Sequence, residues 1–427
     1  MIVKLRKMNT PVEIQVRAPP SKSYTHRAFI AAALAEGDSN IIEPLIAEDT
    51  LLTLNALKQL GVTIEESENG IIIHGTGGAL HPGEKIKIDL KNSGTSMRLL
   101  ASVALLADRP VILTGSERMC ERPIGDLVSA LNAIGGQVRY LGRTGYPPIE
   151  VSGRILGGNV LISPEISSQF ITSLLMAAPY AEEDLHISLR GRSVSASYLD
   201  ITLDLMASFG ISVNVDAVKT FQVGCGKPFA GRSYEVEGDY SSASYFFAIA
   251  AVCGGEAAVT NLKPTSPQGD RQFLSLLRDM GCTISSLEDG YHLIRDSPLT
   301  GITCDMSGMP DTVQTLAAVA PFASGTTMIR GISHLRHKES DRIAAIEQVL
   351  SGFGAGVATT GDSMTITPGE LHGGIIDPAN DHRTAMSGAI LGLGIGDITI
   401  LDAECVSKSY PKFWDVLKGA DLWNGMS

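Results

Sequence analysis

A chain of 427 residues, 44% hydrophobic and 19% charged, has the material for two or more packed domains, which excludes a disordered segment or a small disulfide scaffold. Its net charge of −12 argues against a general nucleic-acid or membrane-surface binder, but leaves room for a local basic pocket that takes a small anion. Six cysteines lie scattered, with no Cys-x-x-Cys and no paired His, which favours reduced thiols in a cytoplasmic protein over disulfides or a zinc site.

The stretch Met1–Lys7 has no apolar run behind its charges, so no signal peptide is expected. Apolar runs such as Phe246–Val252 are too short to span a bilayer. Two classes of helix then alternate along the chain. The first is apolar nearly all round and should be buried: 24–35, 95–107, 170–178, 242–252, 312–322 and 385–393. Each of these helices opens on small polar or charged residues, among them Ser21-Lys22-Ser23, Asn92-Ser93-Gly94, Ser167-Ser168-Gln169 and Pro310-Asp311. The second class ends in Gly and runs into a β-type segment, at 54–61, 127–135, 203–210, 273–281 and 345–354, with a weaker copy at 413–419. The five glycines recur about every 71 to 75 residues, so the chain reads as six copies of one unit with two helices and several short strands. Six copies suit two similar lobes of three. If the helix starts of a lobe share one face, their dipoles make it positive without much net charge.

The richest charge run is Ser333–Arg342, where Arg336, Lys338 and Arg342 surround Glu339. It leads into an apolar repeat at Ile343, Ile346, Val349, Leu350 and Phe353, which has helical spacing. A solvated charged loop and an anion site at a helix start both fit this pattern. The same two readings hold at Lys22, Ser23 and Arg27, where Arg27 lies one turn on from Ser23. Gly94 would let a ligand approach the backbone. Arg122 precedes a Pro that starts the next helix, and Ser167, Ser168 and Gln169 offer hydroxyls and an amide at another start. Asp311 follows Pro310 and precedes an apolar helix, so it reads either as an N-cap or as a buried carboxylate able to act as a base. Arg383 and Lys408 add cations near segment ends. No metal-ligand spacing, Gly-x-Ser-x-Gly elbow or dinucleotide fingerprint appears. The residues alone reach a cofactor-free, metal-free enzyme or binder for small, multiply anionic ligands.

Taken together and in order, Ser21-Lys-Ser with Arg27, Asn92-Ser-Gly-Thr-Ser-Met-Arg, Glu121-Arg-Pro-Ile, Ser167-Ser-Gln-Phe, Gly238-Asp with Ser241-Ser-Ala-Ser-Tyr, Pro310-Asp, Lys338-Glu-Ser-Asp-Arg, Asp381-His-Arg and Lys408 resemble the EPSP synthase family of enolpyruvyl transferases. The resemblance implies a two-lobed inverse α/β barrel of six βαβαββ-type units, three per lobe. Residues 1–19 with 238–427 would form one lobe and 20–237 the other, with the active site in the cleft. It implies transfer of the enolpyruvyl group of phosphoenolpyruvate to the 5-hydroxyl of shikimate 3-phosphate, giving 5-enolpyruvylshikimate 3-phosphate and phosphate, in aromatic amino acid biosynthesis. Asp311, Glu339 and Lys22 would be catalytic. Lys22, Gly94, Arg122, Gln169, Arg342, Arg383 and Lys408 would contact phosphoenolpyruvate. Lys22, Ser23, Arg27, Ser167, Ser168, Gln169, Ser195, Tyr198, Asp311 and Lys338 would contact shikimate 3-phosphate. The partners implied are these two small molecules, with no nucleic acid or membrane, and the chain is expected to be a monomer. His334 stands where many members have Asn. The sister enzyme acting on UDP-N-acetylglucosamine is the nearest rival, and the Ser21-Lys-Ser…Arg27 and Ser167-Ser-Gln sets favour the shikimate substrate.

Overall fold

The structure, a computed structural model, describes residues 1–84, 86–191, 197–216 and 220–423. The chain divides into two compact units, Met1–Pro19 with Glu237–Ser427 and Pro20–Val236. Each has its own apolar core.

All six apolar segments are helical and buried. They form Lys22–Leu34, Gly94–Val103, Gln169–Ala177, Tyr240–Cys253, Val313–Val319 and His382–Ile395. A helix with no polar face can only be stable when packed on every side. Accordingly, Tyr24–Leu34 are all buried, and so are Tyr240–Val252. Burying one large apolar side chain contributes roughly 1.5–3 kcal/mol, so Phe246 and Phe247 alone make unfolding this helix costly. In the unit that carries the chain start, the three buried helices pack on one another. In the other unit, Gly94–Val103 packs on Gln169–Ala177.

The second helix class lies outside these. Its members are Glu48–Gln59, Gly125–Ala133, Ser197–Ser208, Phe273–Asp279, Arg342–Gly352 and Phe413–Gly419. Gly61, Gly135, Gly210, Gly281 and Gly354 follow the first five with φ between +86° and +110°, the left-handed stop that the sequence pattern required.

The strands give six small sheets. Five are four-stranded and share one order, first–second–fourth–third. The first pair is parallel and the other two pairs are antiparallel. The sheet of Ile86–Asp89, Val111–Thr114, Ile149–Gly153 and Gly136–Tyr140 shows the pattern. This is the βαβαββ repeat, because a parallel pair needs a crossover helix and an antiparallel pair needs only a turn. Two copies are permuted. Ser233–Glu235, at the end of its unit, supplies the first strand beside Asp38–Ile42. Val12–Arg17 does the same beside Gly255–Thr260. The sixth sheet has three strands, and the chain start, Val3–Leu5, closes it against Ile398–Ile400. The sixth copy is therefore incomplete, and the N-terminal strand fills the place of its missing hairpin.

Candidate active site

In the unit that holds both chain ends, three helix starts meet. Asp239 caps Tyr240–Cys253 by accepting from Ser242 N at 2.7 Å. Asp381 caps His382–Ile395 by accepting from Arg383 N at 3.0 Å. Asp311 does not cap. It sits in the tight turn Pro310–Thr312, and its carboxylate turns to two guanidiniums. Arg383 Nη2 donates to Asp311 Oδ2 at 2.7 Å, and Arg342 Nη1 donates to Oδ1 at 3.1 Å. Of the two sequence readings, the N-cap is set aside, and the acid is a partly buried carboxylate with two arginine partners 31 and 72 residues away.

Arg342 is the hub. It is 2% exposed, and besides Asp311 it donates to Glu339 Oε2 at 2.9 Å and to Asp381 Oδ2 at 2.9 Å. Burial alone would lower its pKa, but Asp381, Glu339 and Asp311 together outweigh that and raise it. The Ser333–Arg342 run is thus no solvated loop. Ser333–His337 forms a 3-10 turn, Asp341 caps the helix from Arg342 by accepting from Ala344 N at 3.1 Å, and Ser340 Oγ donates to Asp381 at 2.9 Å. Lys338 lies partly buried in the bend between them. Lys408, 5% exposed, ends the turn Ala403–Lys408, which packs on helix His382–Ile395.

His334 is buried at the rim of this cluster, and neither ring nitrogen has a hydrogen-bond partner among the described residues. Burial, then the Lys338 charge, push its pKa down to about 3. It is a neutral imidazole at physiological pH, with one donor and one acceptor to offer.

The other unit gathers a second set of helix starts. Lys22 Nζ reaches Asp49 Oδ2 at 3.3 Å. Ser96 Oγ donates to the Asp49 carbonyl at 3.2 Å, which ties helix Gly94–Val103 to helix Glu48–Gln59. Gln169 donates to Thr95 Oγ1 at 2.9 Å and accepts from Arg98 Nη1 at 2.8 Å. Arg122 donates to the Asn92 carbonyl at 3.1 Å and lies on Gly94. The close approach that Gly94 allows is thus made by Arg122. Ser167 accepts from Gln169 N at 3.2 Å, whereas Ser168 is buried and makes no cap bond. Ser21, too, makes no side-chain cap bond.

Arg27 is held more deeply than its place on the helix face implied. It is 1% exposed and donates to Ser23 O, Thr202 Oγ1 and Tyr198 O at 2.9, 2.9 and 3.1 Å. Burial lowers its pKa to about 10. It orders Ser23 and the Tyr198 backbone from below. Ser195 lies outside the described residues.

Sequence reasoning gave no site role to Asp49, Arg98, Asp381, Tyr245 or Asp270, although Arg98, Tyr245 and Asp381 stand inside the quoted motifs. Arg98 was within reach, since it stands one helical turn from Gly94 and Thr95. Asp49 reads as an ordinary acid in a first turn, and only the fold brings it to Lys22. Tyr245, whose hydroxyl accepts from Arg383 Nη1 at 3.3 Å, lies inside an apolar helix.

Among the described residues, no cluster of His, Cys, Asp and Glu could hold a metal ion, and no helix is long and apolar enough to cross a membrane. Two units of repeated βαβαββ elements, each with cationic side chains at converging helix starts, define a class of α/β enzyme that handles small, multiply anionic molecules. The comparisons make this specific. Residues 7–417 match the family model of EPSP synthase (3-phosphoshikimate 1-carboxyvinyltransferase). A 3-phosphoshikimate 1-carboxyvinyltransferase of Methanoculleus marisnigri is 52% identical over 422 residues, covering 99% of this chain and 100% of that one. One from Serratia proteamaculans is 42% identical over 406 residues, covering 94% and 95%. A solved EPSP synthase from Acinetobacter baumannii superposes with a TM-score of 0.81 at 28% identity, covering 98% of each chain. The chain belongs to the EPSP synthase family, and its fold is the two-lobed α/β fold of that family.

Proposed function

We infer that this protein transfers the enolpyruvyl group of phosphoenolpyruvate to the 5-hydroxyl of shikimate 3-phosphate and releases phosphate. The full-length likeness to 3-phosphoshikimate 1-carboxyvinyltransferases supports the reaction. The observation that carries the assignment of roles is that one buried guanidinium, Arg342, bonds both Asp311 and Glu339.

The reading assigns Glu339 as the acid. It gives a proton to the methylene carbon of phosphoenolpyruvate, which leaves C2 electrophilic. Asp311 takes the proton of the 5-hydroxyl as its oxygen bonds to C2. Phosphate then leaves the tetrahedral intermediate, Glu339 takes a proton back from the new methyl group as the carbon–carbon double bond re-forms, and Asp311 gives its proton to the departing phosphate. Atoms and charge balance with no cofactor.

The cations answer an electrostatic problem. Two substrates with several negative charges repel, and Lys22, Arg122, Arg342, Arg383, Lys338 and Lys408 offset this while fixing the reacting atoms. The helix starts add partial positive charge at no cost in net charge. Lys22, Gly94, Arg122, Gln169, Arg342, Arg383 and Lys408 are assigned to phosphoenolpyruvate. Lys22, Ser23, Ser167, Ser168, Gln169, Tyr198, Asp311 and Lys338 are assigned to shikimate 3-phosphate, with Arg27 and Ser195. We also assign the protein to the cytoplasm as a monomer.

A phosphate-release assay tests the reading. Release with both substrates, and none when a UDP-sugar replaces shikimate 3-phosphate, is the expected result. Release with the UDP-sugar alone would assign the sister activity instead.

A further inference from the structure

Asp270 takes no part in the steps above. It lies in the turn Gly269–Gln272, 6% exposed, against both the Pro310–Thr312 turn and the start of helix Tyr240–Cys253. Ser241 Oγ donates to its Oδ2, and its Oδ1 has no hydrogen-bond partner among the described residues. The charged groups that face it are Asp311, Arg383 from the start of helix His382–Ile395, and Asp239 from the cap of Tyr240–Cys253. Other charges of this corner are directed elsewhere. Arg271 donates to the Pro264 carbonyl, and Glu237 is held by Ser266 and Gln268. Burial, then repulsion from Asp311, raise the Asp270 pKa to about 7, while Ser241 and Arg383 oppose the shift.

Most buried acids have a cation bonded to them. Asp270 instead has a serine, and its strongest charged neighbour is a second carboxylate. Two interacting acids affect each other equally, so whatever Asp311 does to Asp270 is returned. Asp311 needs such an influence. Two guanidiniums at 2.7 and 3.1 Å stabilise its carboxylate and so weaken it as a base.

We propose that Asp270 is a positioning residue for the transfer, whose negative charge, in the turn packed against that of Asp311, restores the proton affinity that Arg342 and Arg383 take away. The proposal rests on Asp311 being the base. When Asp270 is protonated, its repulsion of Asp311 is absent. When Asp270 ionises, Asp311 binds a proton more strongly and removes the hydroxyl proton faster. Asp270 is buried and is assigned no substrate contact. Its effect therefore belongs to kcat and not to KM.

The test measures kcat and KM of the wild type, Asp270→Asn and Ser241→Ala from about pH 5.5 to about pH 9. In the wild type, kcat rises through a limb near the Asp270 pKa. Asp270→Asn loses that limb, with kcat down about three- to tenfold at about pH 8.5, little change at about pH 6, and KM within about twofold. Ser241→Ala keeps Asp270 but removes the donor that favours its ionised form, so the limb moves to higher pH. An Asp270→Asn profile parallel to that of the wild type, or an unmoved limb in Ser241→Ala, overturns the proposal. The second variant serves where the first fails to fold. A wild type that releases no phosphate removes the functional reading and this proposal with it, whereas turnover with an unmoved limb removes this proposal alone.

Discussion

The guanidinium of Arg122 lies directly on the backbone of Gly94. A Cβ built on Gly94 would stand 2.4 Å from Arg122 Nη2 and 2.7 Å from its Cζ. Even alanine would therefore displace the arginine from its bond to the Asn92 carbonyl. Gly94→Ala should raise KM for phosphoenolpyruvate by roughly 10- to 100-fold, the worth of one charge-assisted hydrogen bond. KM for shikimate 3-phosphate should change less. Initial rates with each substrate varied in turn check this, and an unchanged phosphoenolpyruvate KM would show that Arg122 is not a contact for it.

Arg342 holds Asp311, Glu339 and Asp381 at once and is itself almost wholly buried. Removing it would leave three carboxylates without their shared cation. Arg342→Met should destabilise its unit by about 3–5 kcal/mol, and Arg342→Lys should rescue only part of this because a point charge cannot span three partners. Urea unfolding of the variants measures both.

The acid and base roles predict a split between turnover and binding. Asp311→Asn and Glu339→Gln keep the size and most hydrogen bonds of each side chain but cannot transfer the proton. Each should lower kcat by about 100- to 10,000-fold. Substrate affinity by calorimetry should move far less, and near-wild-type turnover in either variant removes that residue from its role.

His334 makes a prediction about acid stability. Its folded pKa, about 3, lies below the ordinary 6.5. Folding therefore favours its neutral form. The stability tied to that form is complete above about pH 6.5 and drains away as pH falls towards the folded value. His334→Gln, which cannot take a proton, should resist acid better by on the order of a few kcal/mol near pH 4. Melting temperatures of both proteins between about pH 4 and pH 8 test this. Equal pH dependence would mean that folding leaves the proton affinity of the imidazole unchanged.

Much of the architecture could be read from the chain because it is local. The all-round apolar segments, the glycine stops and the polar helix starts are set within a turn or two of the residues that cause them. So the six helix pairs, the buried class and the six-fold repeat were legible, and so were Lys22, Gly94, Asp311, Glu339 and Arg383 as residues at helix starts or in the charge run. The ordered motifs then named the family.

What only the tertiary structure decided joins residues far apart in the chain. The bonds of Arg342 to Asp311 and Asp381 span 31 and 39 residues, and that of Arg27 to Thr202 spans 175. Helical spacing says which side chains share a face, but not which distant face comes to meet them. For that reason the sequence could place Arg27 beside Ser23 and not foresee its burial. It left Asp311 without its two arginines, and it gave the space over Gly94 to a ligand when Arg122 fills it. The incomplete sixth sheet has the same cause, because a strand at residue 3 can complete a sheet near residue 400 only once the intervening chain has folded.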